Sequence, residues 1–393
     1  MAAKESLLQY LMKYENDDRK DCAAIYDPAC PVLINFCDAS AKGKRFPEST
    51  VDFSVCAGFP LACFQLISLR KLLSYLQGKT EASEDILRLE NFIAMKEHEE
   101  CLLSLVTQQY NKYNIQVILA AHLFGPLAGS YKIGINGFPK NARCPRCNKD
   151  ISEAVQNTSL GNGDVWHGYD DILVNRCLVK IGTEDNKVDG IDEPEDESGE
   201  EESSTSDECY VSDSVVKNDA KGYQTMSQAL AQTIVNAFSE VNKNSELSCS
   251  FIPSFIATCK DIRITMYNSG FDSLIMSSNM KIFMSHDNKT ILNISTILSV
   301  WYALNYDNFF DKVVEGDELF PQFHSEILYK KSNFKEQAGE MYEIYKEKCT
   351  KPMTETKRDQ DVVFKISTES FTGPLNSLIK ESILSLRSVV KQN

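Results

Sequence analysis

The sequence predicts an α/β (α+β) protein, with a mixed central sheet flanked by helices in the C-terminal half and a helical N-terminal region. Three observations carry this. Between residues 165 and 280, short apolar runs bounded by turn residues recur at strand length, and Asp261-Ile-Arg-Ile-Thr-Met-Tyr267 alternates apolar and polar side chains as a half-buried strand does. Inside that interval, residues 227–241 set Leu230, Ile234, Val235 and Phe238 on one helical stripe, with Gln228 and Gln232 one turn apart beside it. Upstream, residues 61–76 and 83–111 space their apolar side chains at three and four.

Taken in order, residues 4–14 place Leu7, Leu8, Leu11 and Met12 at helical spacing. Residues 15–58 are polar, carry Pro28, Pro31 and Pro47, and read as loops with one or two short elements, such as the burst Val32-Leu-Ile-Asn-Phe36. The 61–76 helix stops at Gly78. The 83–111 helix starts at Ser83-Glu-Asp, where serine can cap and the acids favour the positive end of the dipole. Residues 115–123 are an apolar run that fits a strand or a buried helix equally. A short strand is expected at 131–135, further strands at 251–257 and 273–277, and a strongly apolar helix over 289–310, with Trp301 and Tyr302 in the core. The last residues hold a strand candidate at 362–366 and an amphipathic helix at 375–390. This gives a helical region over 1–150, an α/β core over 160–310 and a helical extension over 311–393.

Charge is concentrated. The chain carries −15, yet residues 184–213 hold fourteen acids against the single base Lys187, leaving only −2 for everything else. The folded body therefore lacks the strong basic footprint of a nucleic-acid binder. The acidic stretch has too little apolar content to offset ordering entropy, so 184–212 is expected to be disordered and suited to a basic protein partner. No apolar run approaches the roughly 20 residues that span a bilayer. Residues 1–5 lead into a polar-faced helix rather than a secretory leader. Thirteen cysteines without framework spacing suit a reducing compartment, hence the cytoplasm or nucleus.

Two patterns bear on chemistry. Cys144-Pro-Arg-Cys147 has metal-ligand spacing, but a zinc knuckle needs four ligands and a second Cys-x-x-Cys is absent. His167 and Cys177 are the residues that would complete it. The isolated pair is expected to be unmetallated, with Zn2+ the lesser alternative. The second pattern is Gly163 to Asn175, in which small and polar residues give way to Asp171 and then to Ile172-Leu-Val174, followed later by Asp213-Ser-Val-Val-Lys217. A carboxylate at a strand mouth holds a hard cation, Mg2+ or Mn2+, and a lysine on the neighbouring strand positions water and offsets charge on a phosphorane. Asp171 and Asp213 are the candidate metal ligands. Lys217 and His167 are the candidate catalytic residues, His167 as a phosphate contact or proton donor.

This arrangement resembles the PD-(D/E)XK nuclease superfamily, and Trp166-His-Gly-x-x-Asp171 with Ala231-Gln-Thr-Ile234 is similar to a group of uncharacterised molluscan proteins. The resemblance covers about residues 160–310. It implies an Asp opening one strand, a Glu-x-Lys on the next and a glutamine on the helix behind, which makes Gln232 a further candidate catalytic residue. Here Val215 stands where the glutamate belongs. Were residues 176–181 the pairing strand instead, Lys180 would be the lysine and Leu178 would occupy the acid's place. Asp213 shares a strand face with 215 and 217, but lies about 7 Å further along. The function implied is a divergent, weak or inactive metal-dependent nuclease-fold protein that acts on or binds nucleic acid. The alternative is an interaction protein that uses the acidic segment and helical region to bind protein partners.

Overall fold

The computed structural model describes residues 32–35, 52–59, 72, 75, 81, 83–129, 133–136, 141–152, 158–162, 167–175, 177–182, 220–286, 289–306 and 332–349. The expected helices at 4–14 and 375–390, the strand at 362–366, the acidic segment, and Asp213, Val215 and Lys217 lie outside them.

Two strands come first, β1 (Val32–Asn35) and β2 (Asp52–Phe59). Helices α1 (Glu84–Ala94) and α2 (Lys96–Thr107) follow. They divide the single helix expected over 83–111, because Met95 is extended (φ −89, ψ 98) while its N–H still closes the turn on Asn91 O. The ambiguous apolar run at 115–123 is helical. It forms α3 (Lys112–Leu119), which Asn111 caps by accepting from Asn114 N, then a π-helical turn (Ala120–Phe124) and α4 (Gly125–Ala128). The run is buried from Gln116 onward, which explains its lack of a polar stripe.

The strands β3 (Ile133–Ile135), β4 (Asn141–Arg143), β5 (Asp150–Ser152), β6 (Ser159–Gly161), β7 (His167–Tyr169), β8 (Ile172–Val174) and β9 (Cys177–Ile181) come next. Helix α5 (Ala220–Lys243) contains the expected 227–241 stripe, and all four of its apolar residues are buried. Strands β10 (Ile252–Ala257), β11 (Asp261–Asn268) and β12 (Ser273–Ser277) agree with the periodicity reading. After β13 (Met280–Lys281), residues 289–310 depart from the single helix expected. Lys289–Leu292 is instead strand β15, paired with β14 (Phe283–His286) in the register Phe283↔Leu292. β-branched Thr290 and Ile291 favour that outcome. Helix α6 (Ile294–Leu304) then buries Trp301 and Tyr302, and α7 (Phe334–Ala338) and α8 (Met341–Lys348) close the described chain.

Among the described residues the main sheet has nine strands in the order β1-β2-β12-β11-β10-β9-β8-β3, with β13 beside β11. It is mixed: β2–β12 and β9–β10 are parallel, and the other neighbours are antiparallel. Side chains alternate between its two faces. On one face Thr265 and Tyr267 meet α5, through Thr233 Oγ1 at 2.6 Å and the Phe238 ring at 5.8 Å. On the other, Phe255 packs on Phe124 of the π turn at 5.1 Å. Helices thus cover both faces, so every residue of β10 and β12 is buried, as continuous apolar runs require.

Candidate metal centre

Four soft side chains converge beneath the helical face. Cys101 comes from α2, His122 from the π turn, and Cys144 and Cys147 from the loop between β4 and β5. Their ligand atoms all lie within 4.8 Å of one another, and Cys147 Sγ is 3.3 Å from His122 Nε2. Zinc–sulfur bonds of about 2.3 Å and zinc–nitrogen bonds of about 2.0–2.1 Å place tetrahedral sulfurs about 3.8 Å apart, so a contraction of about an ångström closes the cage. The donor set fits a borderline-soft cation.

Local sequence builds each arm. The β4–β5 hairpin is clasped by Arg143 Nε on Asp150 Oδ1 at 2.6 Å. Cys144 N donates to Lys149 O, and Asn148 N donates back to Cys144 O, both at 2.9 Å. Asn148 takes the left-handed conformation (φ 59) that lets so short a loop turn, and asparagine tolerates it. The Lys149 amide also hydrogen-bonds the Cys147 sulfur. On the helical side the Gly125 N–H reaches Ala120 O, five residues back. One residue inserted in this way rotates the following side chains by about 100° relative to an α-helix.

The surroundings set the protonation of the metal-free residues. Burial, then the Lys149 ammonium, pushes His98 down to about 4. Burial, then His98 and Lys149, pushes His122 down to about 4, so both rings are neutral at physiological pH. Burial, reinforced by the neighbouring Cys144 and Cys147, pushes the Cys101 thiol far up, and burial raises Cys147 as well. A bound cation must displace those thiol protons, so its binding releases protons.

The metal-binding residues differ from those the sequence pattern suggests. The group of described residues able to hold a metal contains three cysteines and a histidine, which suits zinc rather than a carboxylate-rich Mg2+ or Mn2+ centre. The Cys144/Cys147 pair expected to be unmetallated is half of it. Neither His167 nor Cys177 supplies the missing half. His167 sits on β7, edge-on to Tyr169, and Cys177 Sγ faces Ala303 O at 3.8 Å. Cys101 and His122 are not legible as ligands in the sequence, because each lies in an apolar helical run whose periodicity places it in the core. A histidine alone inside the 115–123 run, followed by Gly125-Pro126, was the signal available.

Asp171, the proposed Mg2+ ligand, is 3 % exposed and already surrounded by donors. Its Oδ1 accepts from Gln116 Nε2 at 3.0 Å and pairs with Lys112 Nζ at 3.0 Å. Its Oδ2 accepts from Ile181 N at 2.8 Å and pairs with Lys180 Nζ at 3.6 Å. Three of these donors stand within hydrogen-bonding distance and fill three of the carboxylate's roughly four lone-pair directions, while the Lys180 ammonium at 3.6 Å adds an ion pair without a hydrogen bond. Lys180 stands beside Asp171 because β8 pairs with β9, and Leu178 is buried in that strand; Lys217 lies outside the described residues. Gln232 on α5 donates from Nε2 to Tyr169 O at 2.9 Å, which ties the helix to β7.

No protein-family model matches the chain, no curated protein matches it in sequence, and no solved structure matches its fold. What the fold and the cluster define is a class: an α/β protein with a mixed sheet and a three-cysteine, one-histidine cluster capable of coordinating a metal ion. No helix among the described residues is long and apolar enough to cross a membrane.

Proposed function

We propose that this chain is a structural-zinc interaction protein. The observation that carries the reading is the complete set of four protein ligands, three of them fully buried, on segments far apart in sequence. A catalytic zinc keeps a coordination position for water or substrate, whereas a four-ligand site is closed and contributes folding energy. The metal here pins the β4–β5 loop to α2 and the π turn. The remaining function is binding, and the fourteen-to-one acidic stretch at 184–213 supports a basic protein partner. The test is metal content and melting temperature of the full chain. One zinc per chain, with a fall in melting temperature on chelation that zinc reverses, is expected. Protein that purifies without zinc and melts identically with chelator present would sink the reading.

A second reading keeps nucleic acid as the ligand of a nuclease-like core, on the strength of one observation: Asp171, just ahead of β8, and Lys180 of the neighbouring β9 lie side by side. Fluorescence anisotropy with labelled single- and double-stranded DNA and RNA tests it. Salt-dependent binding that Lys180→Ala weakens supports it, and binding indifferent to that substitution removes it.

A further inference from the structure

Two buried imidazoles meet through like atoms, His98 Nδ1 to His122 Nδ1, at 3.2 Å. At that distance one nitrogen carries the proton and the other offers its lone pair, since two protons would clash and two lone pairs would repel. The thiol side decides which is which. Cys147 Sγ lies 3.3 Å from His122 Nε2, so Nε2 faces the cluster and is the ligand atom. A metal on Nε2 obliges the His122 proton to sit on Nδ1. His98 is then the acceptor and keeps its own proton on Nε2.

We propose that His98 is the positioning residue of the metal centre, a neutral imidazole whose Nδ1 accepts the His122 Nδ1 proton and so fixes the tautomer and ring orientation of the ligand. This rests on the zinc reading and deepens it. His98 is built for the task. It is 2 % exposed, and its ring stacks on Phe92 at 5.2 Å and 11°. It stands three residues before Cys101 on α2, so one helical turn supplies both a ligand and the group that orients another ligand. The choice of imidazole has an electrostatic reason. Zinc with three thiolates is already a net monoanion, and a carboxylate orienter would add a second charge to a desolvated pocket. A neutral ring gives direction without charge.

The experiment uses the full chain. His98→Phe keeps the ring stack on Phe92 and removes the acceptor, while His98→Asn keeps a carbonyl near the Nδ1 position. Zinc affinity is read by chelator competition, site geometry by the visible spectrum of the Co2+ form, and the His122 tautomer by long-range 1H–15N NMR on the zinc-bound wild type. His98→Phe is expected to weaken zinc by about 10–100-fold and shift the Co2+ bands, with His98→Asn recovering most of both. A wild type with the His122 proton on Nε2, or a His98→Phe protein with unchanged zinc affinity and Co2+ spectrum, overturns the proposal while leaving the zinc reading intact. A wild type that binds no zinc overturns both. Should a variant fail to fold, the wild-type tautomer decides alone.

Discussion

Gly125→Ala isolates the π turn, and two opposed effects set its outcome. In an ordinary helix interior, alanine gains about 1 kcal/mol over glycine. Here the added Cβ would lie 2.7 Å from Ala120 O and 2.7 Å from Ile133 Cδ1. The isoleucine tip can rotate away. Ala120 O cannot, because it accepts Gly125's own N–H, the bond that closes the turn. Position 125 also precedes Pro126 while in helical conformation (φ −60, ψ −52), which a residue with a Cβ resists. Overpacking of this kind costs about 1–3 kcal/mol, and the strained hydrogen bond about 1 more. After the propensity gain, a net loss of about 1–3 kcal/mol remains.

The chain can relieve the clash by reverting to α-helix, but the lost insertion re-aims the residues of the turn, His122 among them, away from the thiols. Zinc affinity then falls with stability. The assay is urea unfolding of zinc-loaded and metal-free protein, paired with chelator competition. A larger loss in the zinc-loaded form is expected, by the linkage between binding and folding. A variant that is more stable than wild type by about 1 kcal/mol, with unaltered zinc affinity, would show that the glycine serves no purpose at the π turn.

Further perturbations test the remaining contacts. Cys101→Ser replaces a soft ligand with a hard one and is expected to abolish stoichiometric zinc, read by metal analysis after desalting. Asp171→Ala strands the two lysines and the Gln116 amide of a buried network, and is expected to cost about 3 kcal/mol in urea denaturation; a loss below about 1 kcal/mol would mean the network is dispensable. Asp272 holds the 332–349 segment by accepting from Ser332 Oγ at 2.5 Å and Lys335 N at 3.1 Å, and is itself braced by Tyr267 OH of β11 at 2.8 Å. Asp272→Ala is therefore expected to raise hydrogen exchange in α7 and α8 before it does so in β10 and β11. Metal-free protein should also lose stability in acid. Unfolded histidines take up protons near 6.5, whereas buried His98 and His122 resist until about 4. That contribution is full above about 6.5 and lost as pH falls from there toward 4, a few kcal/mol in all because the two rings sense each other. The urea midpoint at pH 7 and pH 4.5, with chelator present, checks the sign.

The sequence by itself determined the elements whose side chains repeat at a fixed period. The Leu230-Ile234-Val235-Phe238 stripe made α5, and the alternation from Asp261 to Tyr267 made β11, because local period decides which face a chain can bury. It also supplied the Cys144–Cys147 half of the cluster, which a short loop presents whatever the rest of the chain does. Tertiary structure alone decided what depends on partners far along the chain. Cys101 and His122 stand twenty-one residues apart and more than twenty from Cys144, and nothing in an apolar stripe says that a sulfur or an imidazole in it faces three others. Lys180 stands beside Asp171 because Asn175, at φ 51, turns β8 straight back along β9 in the register Val174↔Cys177. The same pairing brings the Ile181 N–H to Asp171 Oδ2, while Gln116 and Lys112 arrive from α3 at Oδ1. Two ammonium groups, a side-chain amide and a backbone N–H gather round a strand-mouth carboxylate, read as a cation ligand, and make it the centre of an ion network. A side chain's chemistry is written in the sequence, but which lone pairs remain free is set by the donors that folding brings to it.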